Sequence, residues 1–379
     1  MDRPNQPSEE GLSYRSYELG DGEQIVEFLD IVFNGWPKHD LGCSPLEHWR
    51  WKNGGGKNAS LGAVCVHNER IVGSLQSIPR SIRIGEASLL GSYGVDFAVH
   101  PDCKRKGIST KLNTITDGLL KDSGVAFSYA IVGNPILVEA YSKRYPEFPH
   151  PMANLVRIRD IDAQLEALPM ERPWLVKMGY GAVKLLNTAR RRLYPPESRK
   201  TEFKIKRLDR FDERADDLWE EVSVDHDFIC DRSADYLNWR YCDPRAGDFI
   251  AMMAEGDDGE LLGYSVLRVN RYLEGYPVGY IVDLLGRPGR RDVVEALAVD
   301  SLEYFDTNDV NIVNCLVAKG HLHERALKRL GFVDSRVKIR IFIDEYERKG
   351  LFNGIVESPP SRIHFSWGDH DSLPVRVPG

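Results

Sequence analysis

The stretch YGVDFAVHPDCKRKGISTKL, residues 93–112, decides how the chain is read. Val95, Phe97 and Val99 alternate along a β-strand, His100-Pro101 makes a turn, and three cations lead into a helix that begins near Gly107. A strand, a loop of backbone amides and a helix N-terminus together form an anion site. The free N–H groups and the helix dipole point the same way, and Lys104, Arg105 and Lys106 add full charges beside them. Glycine at 107 lets the backbone approach the anion closely. The stretch therefore predicts a pyrophosphate site.

HPDCKRKGIS resembles the acyl-CoA pyrophosphate loop of the GNAT acetyltransferase superfamily, which reads Gln or Arg, two residues, Gly, one residue, then Gly or Ala. Lys104 stands where Gln or Arg is usual, and Ser109 where Gly or Ala is usual. Further on, GNPILVEAYSKRYPEF resembles the superfamily's next helix. Asn134 and Tyr141 stand seven apart as that pattern requires, and Lys143 falls on its Lys, while Leu137 takes the Ala position and Tyr145-Pro146 replaces Gly-Phe.

The resemblance implies acetyl-CoA, or another acyl-CoA, as co-substrate. It assigns carrier binding to Phe97, Ala98, Val99, Lys104, Arg105, Lys106, Gly107, Ile108, Ser109, Thr110 and Asn134. Tyr141 contacts the carrier as well and is the candidate general acid for the departing thiolate. Asp96, on the central strand, is the candidate general base, with His100 and His226 as alternatives. A backbone N–H near Phe97 to Val99 is expected to stabilise the oxyanion.

A second copy of the same order lies downstream. YLNWRYCDPRAGDF mirrors LEHWRWKNGGG, so that Trp49 and Gly73 each precede Trp239 and Gly263 by 190 residues, and Val95-Asp96 precedes Val282-Asp283 by 187. The second copy keeps the Leu330-Gly331-Phe332 ending but has Leu327 and Gly320 where the first has Tyr141 and Asn134. Its loop carries Asp292 near the anion position. Because Trp49-Arg50 recurs as Trp239-Arg240, and Asp96 as Asp283, these residues read first as scaffold.

The expected fold class is α+β, with two tandem GNAT folds built on mixed, mostly antiparallel sheets and joined by a helical connector. Residues 1–12 read as a leader and 13–160 as the acyl-CoA module. Residues 161–202 read as connector, 203–345 as a second module without cofactor, and 346–379 as a tail extended over the surface. The connector, with apolar Trp174, Leu175, Met178, Val183, Leu186 and Leu193, suits amphipathic helices.

A hydrophobic fraction of 42%, a charged fraction of 28% and a net charge of -7 describe a globular protein that is not a general nucleic-acid binder. No apolar run approaches the roughly 20 residues of a membrane span. The six cysteines are scattered, without a C-x-x-C pair or a histidine at ligand spacing, so reduced thiols, a cytoplasmic location and no metal are expected. The expected partner is a small-molecule amine, and a homodimer is compatible with the sequence. An amino sugar, free or nucleotide-linked, is the preferred acceptor, because the tail segment IHFSWGDHDSLP is similar to the ends of tandem GNAT-like proteins of polysaccharide biosynthesis. The alternatives are a non-catalytic acyl-CoA sensor, or a tandem transferase of the mycothiol-synthase, aminoglycoside-acetylating or Fem type.

Overall fold

Alternating segments of the sequence become strands that pair into two seven-stranded sheets. The computed structural model describes residues 11–54, 59–167, 202–272, 276–335, 337–346, 349–371 and 373. Most of the connector thus lies outside the described residues, as does nearly all of the leader. In chain order the strands are β1 (Leu12–Ser16), β2 (Leu61–His67), β3 (Arg70–Ile84), β4 (Ala87–Val99), β5 (Phe127–Val132), β6 (Met152–Ile158), β7 (Phe203–Leu208), β8 (Phe228–Cys230), β9 (Phe249–Gly256), β10 (Leu261–Asn270), β11 (Val278–Gly286), β12 (Ile312–Ala318), β13 (Val333–Asp334) and β14 (Arg340–Glu345). The helices are α1 (Gly22–Phe33), α2 (Pro45–Gly54), α3 (Ile108–Asp122), α4 (Pro135–Ser142), α5 (Ile161–Ala167), α6 (Arg214–Asp225), α7 (Ala234–Leu237), α8 (Arg291–Thr307) and α9 (Leu322–Arg329).

The first sheet runs β1-β2-β3-β4-β5-β14, with β8 added beside β3, and the second runs β13-β6-β12-β11-β10-β9-β7. Every pairing is antiparallel except β4 with β5 and β11 with β12. Those two parallel contacts are short, Gly91–Tyr93 against Phe127–Tyr129 and Val278–Ile281 against Ile312–Cys315. Beyond them the strands part into a V. A register shift marks the place in each sheet, opposite Asp96 in the first and beside Asp283 in the second. At the first, Asp96 takes a left-handed φ of 52°, which re-aims its side chain out of the pleat. The α+β class with mixed, mostly antiparallel sheets is thus observed.

The glycines of the sequence repeat have a packing reason. A Cβ on Gly73 would lie 2.8 Å from Ile108 Cγ2 of α3, and one on Gly263 would lie 3.0 Å from Val293 Cγ1 of α8. In each half a helix presses onto the third strand of its sheet, and only glycine leaves room for it.

The expected limits at residues 160 and 345 do not coincide with the sheets. β6 pairs with β12 and β13 in the second sheet, while β14, from the far end of the chain, pairs with β5 in the first. The halves therefore exchange one strand each. They also share a core, in which Phe127, Phe148, Phe228, Phe352 and Phe365 meet residues of both sheets.

The tail corrects the sequence reading. Residues 349–371 were expected on the surface, yet Ile363, Phe365, Trp367 and Asp369 are all at most 2% exposed. Ile363, Phe365 and Trp367 alternate with polar or small residues at a period of 2, but His364, Ser366 and Gly368 between them are buried as well, so the alternation does not mark one face as solvent and the other as core. Among the described residues, no helix is long and apolar enough to cross a membrane, and no cluster of His, Cys, Asp or Glu is placed to hold a metal ion.

Candidate active site

The loop after β4 has the geometry the sequence suggested. Gly107 caps α3 with a φ of 72°, and the first helical bond runs from Lys111 N to Gly107 O at 3.2 Å. The amides of Ile108, Ser109 and Thr110 thus have no carbonyl ahead of them in the helix. Ile108 and Leu112 are buried against Gly73 and fix the helix end at the mouth of the V, while Lys104 and Arg105 stay exposed. Cys103 packs underneath with Ile108 and Leu112. His100 caps the short turn by accepting from Asp102 N at 3.3 Å.

Phe97, Ala98 and Val99 lie on β4 past its last contact with β5. Asn134 ends the segment after β5, and its carbonyl accepts the first bond of α4 from Val138 N at 2.9 Å. Seven residues on, Tyr141 is half-buried, lies tilted against Phe342 with ring centres 5.6 Å apart, and lines a chamber of about 60 Å³ that Gly94 lines as well. Burial pushes its phenol pKa up, as befits a group that stays protonated until a strong base forms beside it.

Gly94 also borders a larger cleft of about 320 Å³, walled by Phe33, Trp36, His39, His48, Lys52, Asp96, Phe97, His370 and Asp371. Lys52 Nζ is buried there, 2.8 Å from Asp96 Oδ1 and 3.1 Å from Asp371 Oδ2, with the Trp36 ring centre at 4.9 Å. Trp36 Nε1 donates to Asp96 Oδ1 at 3.2 Å. Burial raises the Asp96 carboxyl, with Lys52 opposing that rise. Burial also acts on Asp371, but Lys52 and His370 win and bring it down to about 2. Burial works against the Lys52 charge, yet the two carboxylates keep its pKa above the ordinary value. One cation between two carboxylates leaves this trio with a net negative charge.

Two imidazoles complete the wall. Burial brings His39 down to about 2 and His48 to about 3, so both are neutral near pH 7. His48 Nδ1 lies 2.7 Å from the Arg245 carbonyl. A carbonyl only accepts, so Nδ1 carries the hydrogen and Nε2 keeps its lone pair.

Asp371 reaches the cleft because the residues before it are pinned. Asp369 receives Arg80 Nη2 at 2.8 Å and Arg232 Nη2 at 2.9 Å, and its carbonyl accepts from Tyr129 Oη at 2.7 Å. Arg232 Nε also reaches Asp283 Oδ2 at 2.7 Å, and His364 Nε2 donates to Asp283 Oδ1 at 3.0 Å. Arg240 Nη2 then donates to the His370 carbonyl at 2.8 Å. The repeated Asp thus has a shared structural part, a buried carboxylate tied to a cation at the splay.

Residues 13–144 match the family model of the acetyltransferase (GNAT) domain. Among curated proteins no sequence matches the chain. Among solved structures, the fold is similar to a probable N-acyltransferase of Enterococcus faecalis, 12% identical with a TM-score of 0.60, over 89% of this chain and 73% of that one. It is similar also to N-myristoyltransferase of Saccharomyces cerevisiae with bound myristoyl-CoA, at 12% identity and a TM-score of 0.60, over 92% and 83%. A GCN5-related N-acetyltransferase of Anabaena variabilis aligns at 12% identity and a TM-score of 0.57, over 89% and 73%.

Within the GNAT match, the structure brings Asp96 and Phe97 to the cleft and Tyr141 to the chamber, with Gly94 common to both. His226 is not among these groups. Its Nδ1 lies 2.8 Å from Val222 O, and its ring faces His364 at 5.9 Å in the second half. Lys52, His39, His48 and Asp371 were missed by the sequence reading. The only hint for Lys52 was its place in HWRWK, directly after Trp51 and three residues after Trp49, two large rings that call for burial. Asp371 had no local signal.

Proposed function

We propose that the chain is an acyl-CoA-dependent N-acyltransferase, with acetyl-CoA as the usual donor and a primary amine as acceptor. The observation that carries this reading is the V between β4 and β5. A helix N-terminus preceded by three cations stands at its mouth, the half-buried Tyr141 lines the chamber, and a cleft with a net negative trio shares Gly94 with that chamber. Phe97 to Val99 and Asn134 would hold the pantetheine arm, and Lys104 to Thr110 the diphosphate.

The acceptor enters as an ammonium and meets Asp371, the more acidic carboxylate. Its proton passes to Asp96, which burial makes the better proton acceptor, and Lys52 holds both carboxylates in place. The amine nitrogen then attacks the thioester carbonyl, forming the C–N bond. The C–S bond breaks, the thiolate takes its proton from Tyr141, and the further proton that the nitrogen sheds as the amide forms returns through solvent to the tyrosine. Holding donor and acceptor together supplies much of the rate. A backbone N–H of the parted strand between Gly94 and Val99 stabilises the oxyanion.

Apolar faces from Phe33, Trp36 and Phe97 beside carboxylates and imidazoles suit a sugar ring, which supports an amino sugar, free or nucleotide-linked, as the acceptor. Two such folds in tandem, one open and one filled, is the arrangement we infer. Six cysteines without a disulfide suit a reducing compartment such as the cytoplasm.

Titration calorimetry with acetyl-CoA and an amine screen read by free thiol test this reading. Asp371→Asn is expected to lower kcat at least tenfold while leaving acetyl-CoA affinity within twofold. Absence of CoA binding by the native protein would remove the proposal.

A further inference from the structure

The chamber at the vertex has no part in gripping the diphosphate or the acceptor. Gly94 lines it, and an added Cβ there would meet only Leu75 Cδ1, at 3.9 Å, so open space adjoins the glycine beside which the thioester carbonyl would sit. Ser77 faces Gly94 across the β3–β4 pair and lines this space. Its hydroxyl is buried and has no hydrogen-bond partner, although the residue is only 2% exposed. A buried hydroxyl left unpaired is uncommon and asks for a partner from outside the protein.

The far wall is polar. Tyr346 Oη donates to Asp117 Oδ1 at 2.9 Å and lies 3.0 Å from Ser128 Oγ. Burial raises the Asp117 carboxyl, and burial together with the Asp117 charge raises that of Asp344.

We propose that this chamber receives the acyl chain, and that the acyl class it selects is short and hydroxyl-bearing, with Ser77 as the specificity-determining partner of that hydroxyl. The proposal rests on the V being the acyl-CoA site. A plain aliphatic chain would leave the Ser77 hydroxyl unpaired. A terminal carboxylate would face Asp117 and Asp344. A neutral hydroxyl both gives and accepts a hydrogen bond, as Ser77 does. The small volume excludes a long chain.

The test compares the affinities of butyryl-CoA and 3-hydroxybutyryl-CoA for the full chain by titration calorimetry, with CoA and acetyl-CoA alongside. One buried hydrogen bond of about 1 kcal/mol predicts roughly fivefold tighter binding of the hydroxylated thioester. Ser77→Ala should erase that gap. Gly94→Ala, which needs no left-handed backbone, should weaken both four-carbon thioesters about tenfold more than acetyl-CoA. Equal affinities in the native protein, or a gap that survives Ser77→Ala, would overturn the proposal. If CoA itself fails to bind, the acyl-CoA reading falls and takes the chamber with it. If CoA binds tightly but the two four-carbon thioesters do not differ, only the chamber assignment falls.

Discussion

In the first sheet the strands that part after Tyr93 leave the chamber and the cleft open on either side of Gly94. In the second, the corresponding space between Ile281–Leu284 and Cys315–Ala318 is lined by Ile363 to Ser366, with His321 and His323, and only about 10 Å³ remains. Both Vs carry an aspartate bound to a buried cation, Asp96 with Lys52 and Asp283 with Arg232. The aspartate therefore does not distinguish them. The difference is that the tail fills one V and, a few residues later, delivers a carboxylate to the other.

Acid gives the widest separation between the two regions. In and beside the filled V, burial lowers His226 to about 4 and His321 to about 3, and lowers His323 as well, with His364 and Asp283 facing them. The open V holds two such imidazoles, His39 and His48. The unfolded chain takes up protons at these histidines below its ordinary value of 6.5, and the folded chain does not until much lower pH. Stability therefore falls as pH drops below 6.5, by up to about 1.4 kcal/mol per pH unit for each buried imidazole. Urea titrations between pH 7 and 4.5 should show a steep loss, made shallower by His323→Leu. A flat profile would mean that the filled V admits water.

Next in size is the ion-pair chain beneath the tail. Arg232→Met leaves Asp283 with His364 and the Tyr264 hydroxyl, and Asp369 with Arg80 as its remaining cation beside Ser366, and should cost about 3–5 kcal/mol in urea unfolding. Lys52→Met breaks a similar pair, but beside an open cleft where water reaches, and should cost less. Equal losses would weaken the contrast drawn above.

The smallest effect concerns the mouth of the open V. Lys104 is exposed, so Lys104→Ala should weaken CoA binding by only a few-fold, and less at high salt. The equivalent experiment at Arg290 in the second half, where Asp292 already takes the guanidinium at 2.9 Å, should leave CoA affinity unchanged.

Much of the first V was legible in the sequence because its parts are local. The alternation of β4, the glycine at 107 and the seven-residue step from Asn134 to Tyr141 each sit within one element and its cap. The cleft was not legible. Lys52, Asp96 and Asp371 come from α2, β4 and the tail, and no period of 2 or 3.6 records a meeting of residues more than 300 positions apart. The exchange of β6 and β14 escaped as well, since alternation says that a segment is a strand but not which sheet it joins.

That exchange also bears on the order in which the protein takes shape as it is made. Synthesis runs from the N-terminus, so β5 emerges long before its edge partner, which begins at Arg340. Until β14 emerges, the edge of β5 that faces away from β4 has no strand to pair with. The first sheet therefore cannot close until Arg340, more than 200 residues beyond the end of β5, has been made, and the carboxylate of Asp371 follows later still.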